Sequence, residues 1–362
     1  MSESASLLAI PMHGEAKLRR EGLRTRDGHL LDWISKLRPE LTIRLHSRAE
    51  PWPRVSLARW RGQELPASWR CRSPQPLTLP PVRMRRRWWV RATRHAPPWP
   101  RNVDGAIVWN PVERRPDGAH GPILFDLLDD WLIHPMFEVI RDEARKGYAE
   151  WLQRAAVVTA NSEGTLELAH RFGRSDAILI PNGCDPERFS TDHLPQALFT
   201  VGYGGKISER LDADLVRECA RALPGVRFEF AGPILTRSVG AELRREPNVH
   251  LLGDVPYPRY PSALTRWDLA WAPHRIGPGE VGGDAIKIYE YRAAGLPTVA
   301  TKIIGWRRMP DGVRVLDRSE VPAAIAELSN GGAGSLGRDA PALSAEHTWR
   351  TKAERILNLL GL

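Results

Sequence analysis

The sequence predicts an α/β protein of two doubly wound, Rossmann-like domains facing a central cleft. Three observations carry that expectation. The chain has 362 residues, too many for one ordinary core and about right for two. Apolar runs of strand length alternate with helical patterns of about ten to fifteen residues, which is how βαβ units and parallel sheets read. A polar stretch, S-T-D-H-L-P-Q at 190–196, interrupts the alternation, which then starts afresh. Sheets of this kind take ligands beyond the carboxyl ends of their strands.

Composition bounds the class. Hydrophobic content of 42% and charge of 26% describe a globular protein. No stretch approaches the roughly 18 apolar residues of a spanning helix. The start, M-S-E-S-A-S-L-L-A-I-P-M-H-G-E, carries an early acid and too short an apolar run for a signal peptide. A cytoplasmic protein is expected, with at most a peripheral place at the inner face of a membrane. Cys71, Cys184 and Cys219 are odd in number and form no C-x-x-C pair, which fits a reducing compartment and no structural zinc. Cys184 lies in the turn N-G-C-D-P, without a flanking His or Lys to activate it.

The elements follow in order. Asp27–Leu37 reads as a helix, with Leu30, Leu31, Ile34 and Leu37 at helical spacing. L-T-I-R-L (41–45), G-A-I-V-W-N (105–110) and P-I-L-F-D-L (122–127) are strand candidates, set in a Pro-, Trp- and Arg-rich stretch where periodicity is hard to find. Residues 135–154 read as an amphipathic helix, and A-A-V-V-T-A-N-S as a buried strand. Ser162 then caps a helix that Gly173 ends. A short strand A-I-L-I-P completes a first domain at 1–190, and 191–197 is read as a linker. The second domain, 198–345, begins with the strand L-F-T-V-G-Y and a glycine turn. After it come the helix D-A-D-L-V-R-E-C-A-R-A-L and the strands V-R-F-E-F-A-G and N-V-H-L-L-G. A helix P-S-A-L-T-R-W and the strands D-L-A-W-A-P and P-T-V-A-T follow. The last helix, in 346–362, is expected to pack back across the junction.

The chemistry concentrates in G-P-G-E-V-G-G-D-A-I-K-I-Y-E-Y-R-A-A-G-L-P-T-V-A-T (277–301). A glycine-rich loop running into a helix offers backbone N–H groups to an anion. Asp284 is placed as the N-cap. Lys287, in the first turn, opposes the helix dipole and makes sense facing a diphosphate. Glu290 lies on the same face, within reach of a ribose diol. Alone, the two would read as a surface i,i+3 ion pair.

Neighbouring motifs change that reading. V-V-T-A-N-S-E-G-T-L (157–166), I-P-N-G-C-D-P-E-R-F (180–189), V-G-Y-G-G-K-I-S-E-R-L-D (201–212), N-V-H-L-L-G-D-V-P-Y (248–257) and A-I-K-I-Y-E-Y-R-A-A-G-L-P-T-V-A-T (285–301) occur in this order. Over roughly 122–362 the chain resembles GT-B glycosyltransferases, in particular the family 4-like group and its teichuronic-acid and glucuronosyl-transferase relatives. The resemblance implies transfer of a sugar from a UDP-, GDP- or dTDP-sugar without a bound metal, since Lys and Arg neutralise the diphosphate. It places Gly204, Gly205, Lys206 and Arg210 against the diphosphate, where glycines admit close approach and cations offset leaving-group charge. Gly253 and Val255 would meet the nucleobase, Lys287 a phosphate and Glu290 the ribose. Many family 4 members carry two glutamates separated by seven residues, the second of them the ribose acid. Gly282 stands in place of the first here, so Glu280 and Asp284 are the nearest acids for the donor sugar.

On the acceptor side, F-D-L-L-D-D-W-L-I-H (125–134) follows an apolar strand. Asp129 or Asp130 would serve as general base in an inverting reaction. In a retaining reaction they would position the acceptor, alongside Asp126 and His134. His29, at a helix start, is a further acceptor-side candidate. No H-E-x-x-H, G-x-S-x-G or P-loop pattern occurs.

The net charge of +9 is local, because residues 51–100 hold eleven Arg, no Lys and one Glu. Within this window V-R-M-R-R-R-W-W-V-R-A-T-R-H (82–95) suits an anionic membrane surface; nucleic acid is the weaker expectation. Other readings are a further GT-B activity, such as a sugar-nucleotide epimerase or phosphorylase, or a non-catalytic carbohydrate- or nucleic-acid-binding protein. The acceptor and the oligomeric state leave no motif.

Overall fold

The computed structural model describes residues 5–47, 50, 52–72, 87, 90, 93, 99–100, 102–113, 121–277, 280, 282–303, 305, 312–332, 334, 336 and 343–362. Most of the 82–95 segment therefore lies outside the described residues. The chain divides into two compact units, Met1–Pro181 with Val281–Asp284 and Trp349–Leu362, and Asn182–Glu280 with Ala285–Thr348.

The first unit is a seven-stranded, all-parallel sheet of strands β1 (Ser6–Ile10), β2 (Thr42–His46), β3 (Trp69–Arg72), β4 (Gly105–Val108), β5 (Ile123–Leu127), β6 (Val157–Ala160) and β7 (Ile178–Leu179). Their order is β3-β2-β1-β4-β5-β6-β7, with the direction of winding reversing between β1 and β4. Helices α1 (Glu15–Glu21), α2 (Arg26–Leu37), α3 (Trp52–Arg61), α4 (Arg141–Arg154) and α5 (Glu163–Arg171) connect them. Ser162 caps α5 as expected, its Oγ accepting from the Thr165 N–H at 3.1 Å.

Four elements here escaped the sequence reading, the short α1 among them. β1 is central and buried at every position, so it shows a continuous apolar run without the period of two. α3 and β3 hide in the Trp- and Arg-rich stretch. Trp69 is nevertheless a core residue, its indole N–H donating to Ser35 Oγ at 2.6 Å. Residues 135–154 split into a 3-10 turn at Pro135–Ile140 and α4.

The second unit is a six-stranded parallel sheet of β8 (Thr200–Gly204), β9 (Arg227–Ala231), β10 (Val249–Gly253), β11 (Leu269–Ala272), β12 (Thr298–Thr301) and β13 (Val313–Leu316). Its order is β10-β9-β8-β11-β12-β13, the doubly wound pattern again, reversing between β8 and β11. Helices α6 (Ala213–Ala222), α7 (Arg237–Leu243), α8 (Tyr260–Leu264), α9 (Ile286–Ala293) and α10 (Val321–Ser329) flank it. Asp212 caps α6, its carboxylate accepting from the Leu215 N–H at 3.0 Å. α7, β13 and α10 were not foreseen. Two turns of helix are too few to show a period in α7, and β13 is only half-buried.

The domain limits differ from the expected 190 and 198. Cys184 and Phe189 belong to the apolar cluster of the second unit, with Trp267, Tyr260 and Tyr289. The 191–197 stretch is tied to that unit as well, Leu194 N–H donating to the Thr265 carbonyl at 2.8 Å and His193 lying 3.3 Å from Asp268. A segment fastened to one unit is not a free linker. The terminal helix, α11 (Trp349–Leu360), packs on α2. Burial pushes the Cys184 thiol up, away from reactivity. Among the described residues no helix is long and apolar enough to cross a membrane.

Candidate active site

The second unit reverses its winding between β8 and β11, and the chemically distinctive side chains gather where these strands end. The turn after β8 is shaped by Gly205, with φ of +149° and its N–H on the Ala231 carbonyl at 2.9 Å. The chain then runs beside the loop after β11. Asp212 N–H donates to the Pro273 carbonyl at 2.9 Å, and Arg275 N–H to the Arg210 carbonyl at 2.8 Å. The two loops thus hold each other in place through backbone bonds.

Lys287 comes into this crevice from the second residue of α9. Its Nζ donates to the Tyr203 hydroxyl at 2.9 Å and stands 4.1 Å from the centre of the same ring. His274 Nε2 lies 3.4 Å away on the other side. A Cβ on Gly205 would come within 2.6 Å of the Lys287 Nζ, so the ammonium is set directly against the glycine turn. Burial, and next the Arg210 guanidinium, hold Lys287 well below the usual lysine range, with Lys206 adding to the effect and Glu290 opposing it. Burial, Lys287 and Arg210 likewise hold His274 well below the usual histidine range. Three basic side chains, Lys287, Arg210 and Lys206, thus meet at one turn.

Glu290 follows one turn along α9 and is 5% exposed. Its Oε1 accepts from the Tyr257 hydroxyl at 3.0 Å, and the Arg188 guanidinium sits 5.4 Å over the Tyr257 ring. Burial raises the Glu290 carboxyl to about 7, against the lowering effects of Tyr257, Lys287 and Arg188. The turn after β10 lies nearby in sequence. There the Gly253 carbonyl accepts from the Gly232 N–H at 2.7 Å, and half-buried Val255 packs on the unit's apolar cluster.

Two expected donor-side acids have other placements. Asp284 is not the cap of α9. The cap position is Ala285, with extended backbone, because the preceding residues belong to the first unit. There the Ser162 hydroxyl donates to the Gly282 carbonyl, and Gly283 is pressed so close to the Asp129 carboxylate that a Cβ would come within 2.2 Å of it. Glu280 is 8% exposed and folds onto its own loop, accepting from the Gly277 N–H at 2.6 Å.

The acceptor-side expectations need more revision. Asp126 has no exposed surface. Its carboxylate accepts from the Arg26 guanidinium at 2.7 and 3.1 Å, the Trp109 indole at 2.6 Å and Thr159 at 2.7 Å. It is a fully bonded core group, as a buried carboxylate must be. His29 is 2% exposed and stacks on Trp349 with ring centres 4.9 Å apart, which makes it packing for α11. His134 caps the 3-10 turn, its Nδ1 accepting from the Met136 N–H at 3.1 Å. Asp130 is buried, ion-paired with Arg171, and accepts from the Leu132 N–H at 2.8 Å. Only Asp129, of these acids, is a half-buried carboxylate at the end of the strand. Among the described residues no group of three or more His, Cys, Asp or Glu could hold a metal ion.

No protein-family model matches the chain. In sequence it is similar to TuaH of Bacillus subtilis (strain 168), a protein named for glycosyl transfer in teichuronic acid biosynthesis, at 24% identity over 206 residues. The match covers 52% of this chain and 52% of TuaH, so the chain spans about half the length of that relative. In structure it is similar to sucrose-phosphate synthase from Thermosynechococcus elongatus, with a TM-score of 0.72 over 98% of both chains at 16% identity. The fold is GT-B. Anabaena HepE, solved in complex with UDP and glucose, superposes with a TM-score of 0.62 over 98% of this chain and 99% of its own, again at 16% identity. AviGT4, a glycosyltransferase involved in avilamycin A biosynthesis, gives 0.58 over 99% and 97% at 16%.

In this GT-B chain the lysine and glutamate of α9 were legible, but their partners Tyr203, His274 and Tyr257 were not. One signal existed for the first two. Tyr203 and His274 flank the ends of β8 and β11, the strands on either side of the winding reversal, where a doubly wound sheet opens. Gly205→Ala tests how tightly the turn and Lys287 are coupled. The added Cβ meets both an unfavourable φ and the Lys287 Nζ, so a Tm lowered by several degrees is expected, read by thermal melting.

Proposed function

We propose that this protein transfers a glycosyl group from a nucleoside-diphosphate sugar to an acceptor nucleophile, with the donor held on the second unit. The observation that carries the reading is the seating of the Lys287 ammonium on the Gly204–Gly205 turn, with Glu290 one turn further along the same helix. A diphosphate supplies the negative charge that Lys287, Arg210 and Lys206 lack among themselves, and exposed Lys206 can close on it from the solvent side. The Gly204–Gly205 backbone approaches its oxygens, Glu290 accepts from the ribose hydroxyls, and the turn at Gly253 and Val255 meets the base.

In the reaction the bond from the anomeric carbon to the diphosphate oxygen breaks and a bond to the acceptor oxygen forms. The leaving diphosphate gains charge in the transition state, so preorganised cations stabilise that state more than the ground state. Asp129, half-buried just beyond β5, takes the acceptor hydroxyl's proton if the reaction inverts and positions that hydroxyl if it retains. The charge arrangement supports a donor site that works without a divalent cation. HepE, a structural neighbour, was solved with UDP and glucose, which makes UDP the first nucleotide to test.

The test is a thermal-shift panel of UDP, GDP, dTDP and ADP with EDTA present. One nucleoside diphosphate is expected to raise Tm by several degrees, and its sugar conjugate to be consumed when acceptor extracts are supplied. No shift with any of the four, together with no consumption of their sugars, would sink the reading.

A further inference from the structure

Helix α3 presents a face that the first unit does not use. Val55 and Ala58 turn inward and pack on Ala16 of α1. On the opposite arc Trp60 is 75% exposed and Leu57 51% exposed, and Pro53, Arg54 and Arg61 are exposed beside them. Positions 53, 57, 60 and 61 recur at the three- and four-residue steps that share one helix face. The apolar side chains form a stripe with Arg54 and Arg61 along one border, the Arg61 guanidinium standing 4.5 Å from the centre of the Trp60 ring. Arg59, on the other border, is engaged by buried Glu15 at 3.0 Å and is not counted. α3 itself contains no acid, and Glu64, beyond its end, is the one acid in the window 51–100.

We propose that this face of α3 is a docking surface for an anionic lipid bilayer. An indole and a leucine exposed together gain from entering the headgroup–acyl boundary, and flanking arginines gain from anionic headgroups at the same depth. Charge complementarity selects an anionic surface. The aliphatic Leu57 and Pro53 favour lipid over nucleic acid, whose contacts would come from cations and stacked rings. The surface is independent of the donor site, so its failure leaves the proposed glycosyl transfer untouched.

Sedimentation of the full chain with vesicles of phosphatidylcholine, and of phosphatidylcholine with one-third phosphatidylglycerol, reads the proposal. The wild-type protein should bind the anionic vesicles and leave the neutral ones, with binding weakened by salt. The pair Leu57→Ser/Trp60→Ser and the pair Arg54→Glu/Arg61→Glu should each weaken that binding roughly tenfold or more. All four side chains are exposed, so melting curves should be unchanged within about a degree. Both pairs leave 82–95 intact. Full vesicle binding by either pair therefore overturns the assignment to α3, as does absence of binding by the wild type. Binding to a single-stranded oligonucleotide without binding to anionic vesicles also overturns it.

Discussion

Lys287→Met should raise the dissociation constant for the donor nucleotide roughly 10- to 100-fold and lower kcat/KM further, without destabilising the protein. The binding loss corresponds to removing one charge-assisted bond to phosphate, on the order of 1.5–3 kcal/mol. The larger loss in kcat/KM follows because leaving-group charge grows toward the transition state. The fold should gain, because the lysine is held near Arg210 and Lys206 and is depressed well below its usual range by burial and their charge. Over the interval between that depressed native value and the ordinary 10.5, the unfolded chain binds the proton more tightly than the native one. Stability therefore rises with pH through this window, and the uncharged variant should melt at the same temperature or higher at pH 7. Titration calorimetry and melting of the same samples give both readings. A variant with wild-type affinity for the donor nucleotide would remove Lys287 from the site, and one with sharply lower Tm would make any binding loss uninformative.

Glu290 should give donor binding an acid limb near neutrality. Its carboxyl is raised to about 7, and only the ionised form can accept from both ribose hydroxyls and Tyr257. The donor KM is expected to climb as pH falls from 8 to 6. Glu290→Gln should flatten that limb and bind the donor roughly tenfold or more weakly at pH 8. The stability sign is opposite to that of Lys287. An acid whose native value lies above its unfolded value of 4.5 contributes stability below that value and loses it as pH rises through about 7. The glutamine variant, without ligand, should therefore be the more stable protein at pH 8, by at most roughly 3 kcal/mol for a shift of this size. A donor KM profile with the same acid limb in wild type and variant would assign the titration to another group. The Asp185 carboxylate faces Glu290 and the Arg188 guanidinium lies over Tyr257, which makes them the controls.

The two residues behind these predictions stand in one short segment that was legible as A-I-K-I-Y-E-Y. Its local pattern placed Lys287 and Glu290 on one helix face, and the structure keeps them there. Ser162 as a cap and the strand–helix alternation of the second half were equally local properties, set by φ/ψ preference and by periods of 2 and 3.6. Asp284 failed as a cap for a reason no local pattern contains. The chain returns to the first unit at Val281–Asp284, where Gly282 and Gly283 lie against Ser162 and Asp129.

The acceptor-side acids show the same limit from the other direction. D-x-x-D-D after an apolar strand offers three carboxylates with no local distinction among them. Asp126 becomes a core group only because Arg26 lies 100 residues away in sequence and 2.7 Å away in space. Asp130 becomes a pin only because Arg171 reaches it.

By itself, then, the sequence determined the α/β class, the two doubly wound sheets, the glycine turn at 204–205 and the paired positions of Lys287 and Glu290. These depend on residues within a turn or two of each other. The tertiary structure alone decided which carboxylates are spent on the core and where the units divide. It also decided that Tyr203, His274 and Tyr257 surround the two residues of α9. Each of those outcomes depends on burial and on a partner brought from far along the chain, and burial is what sets both the cost of a charge and the group that offsets it.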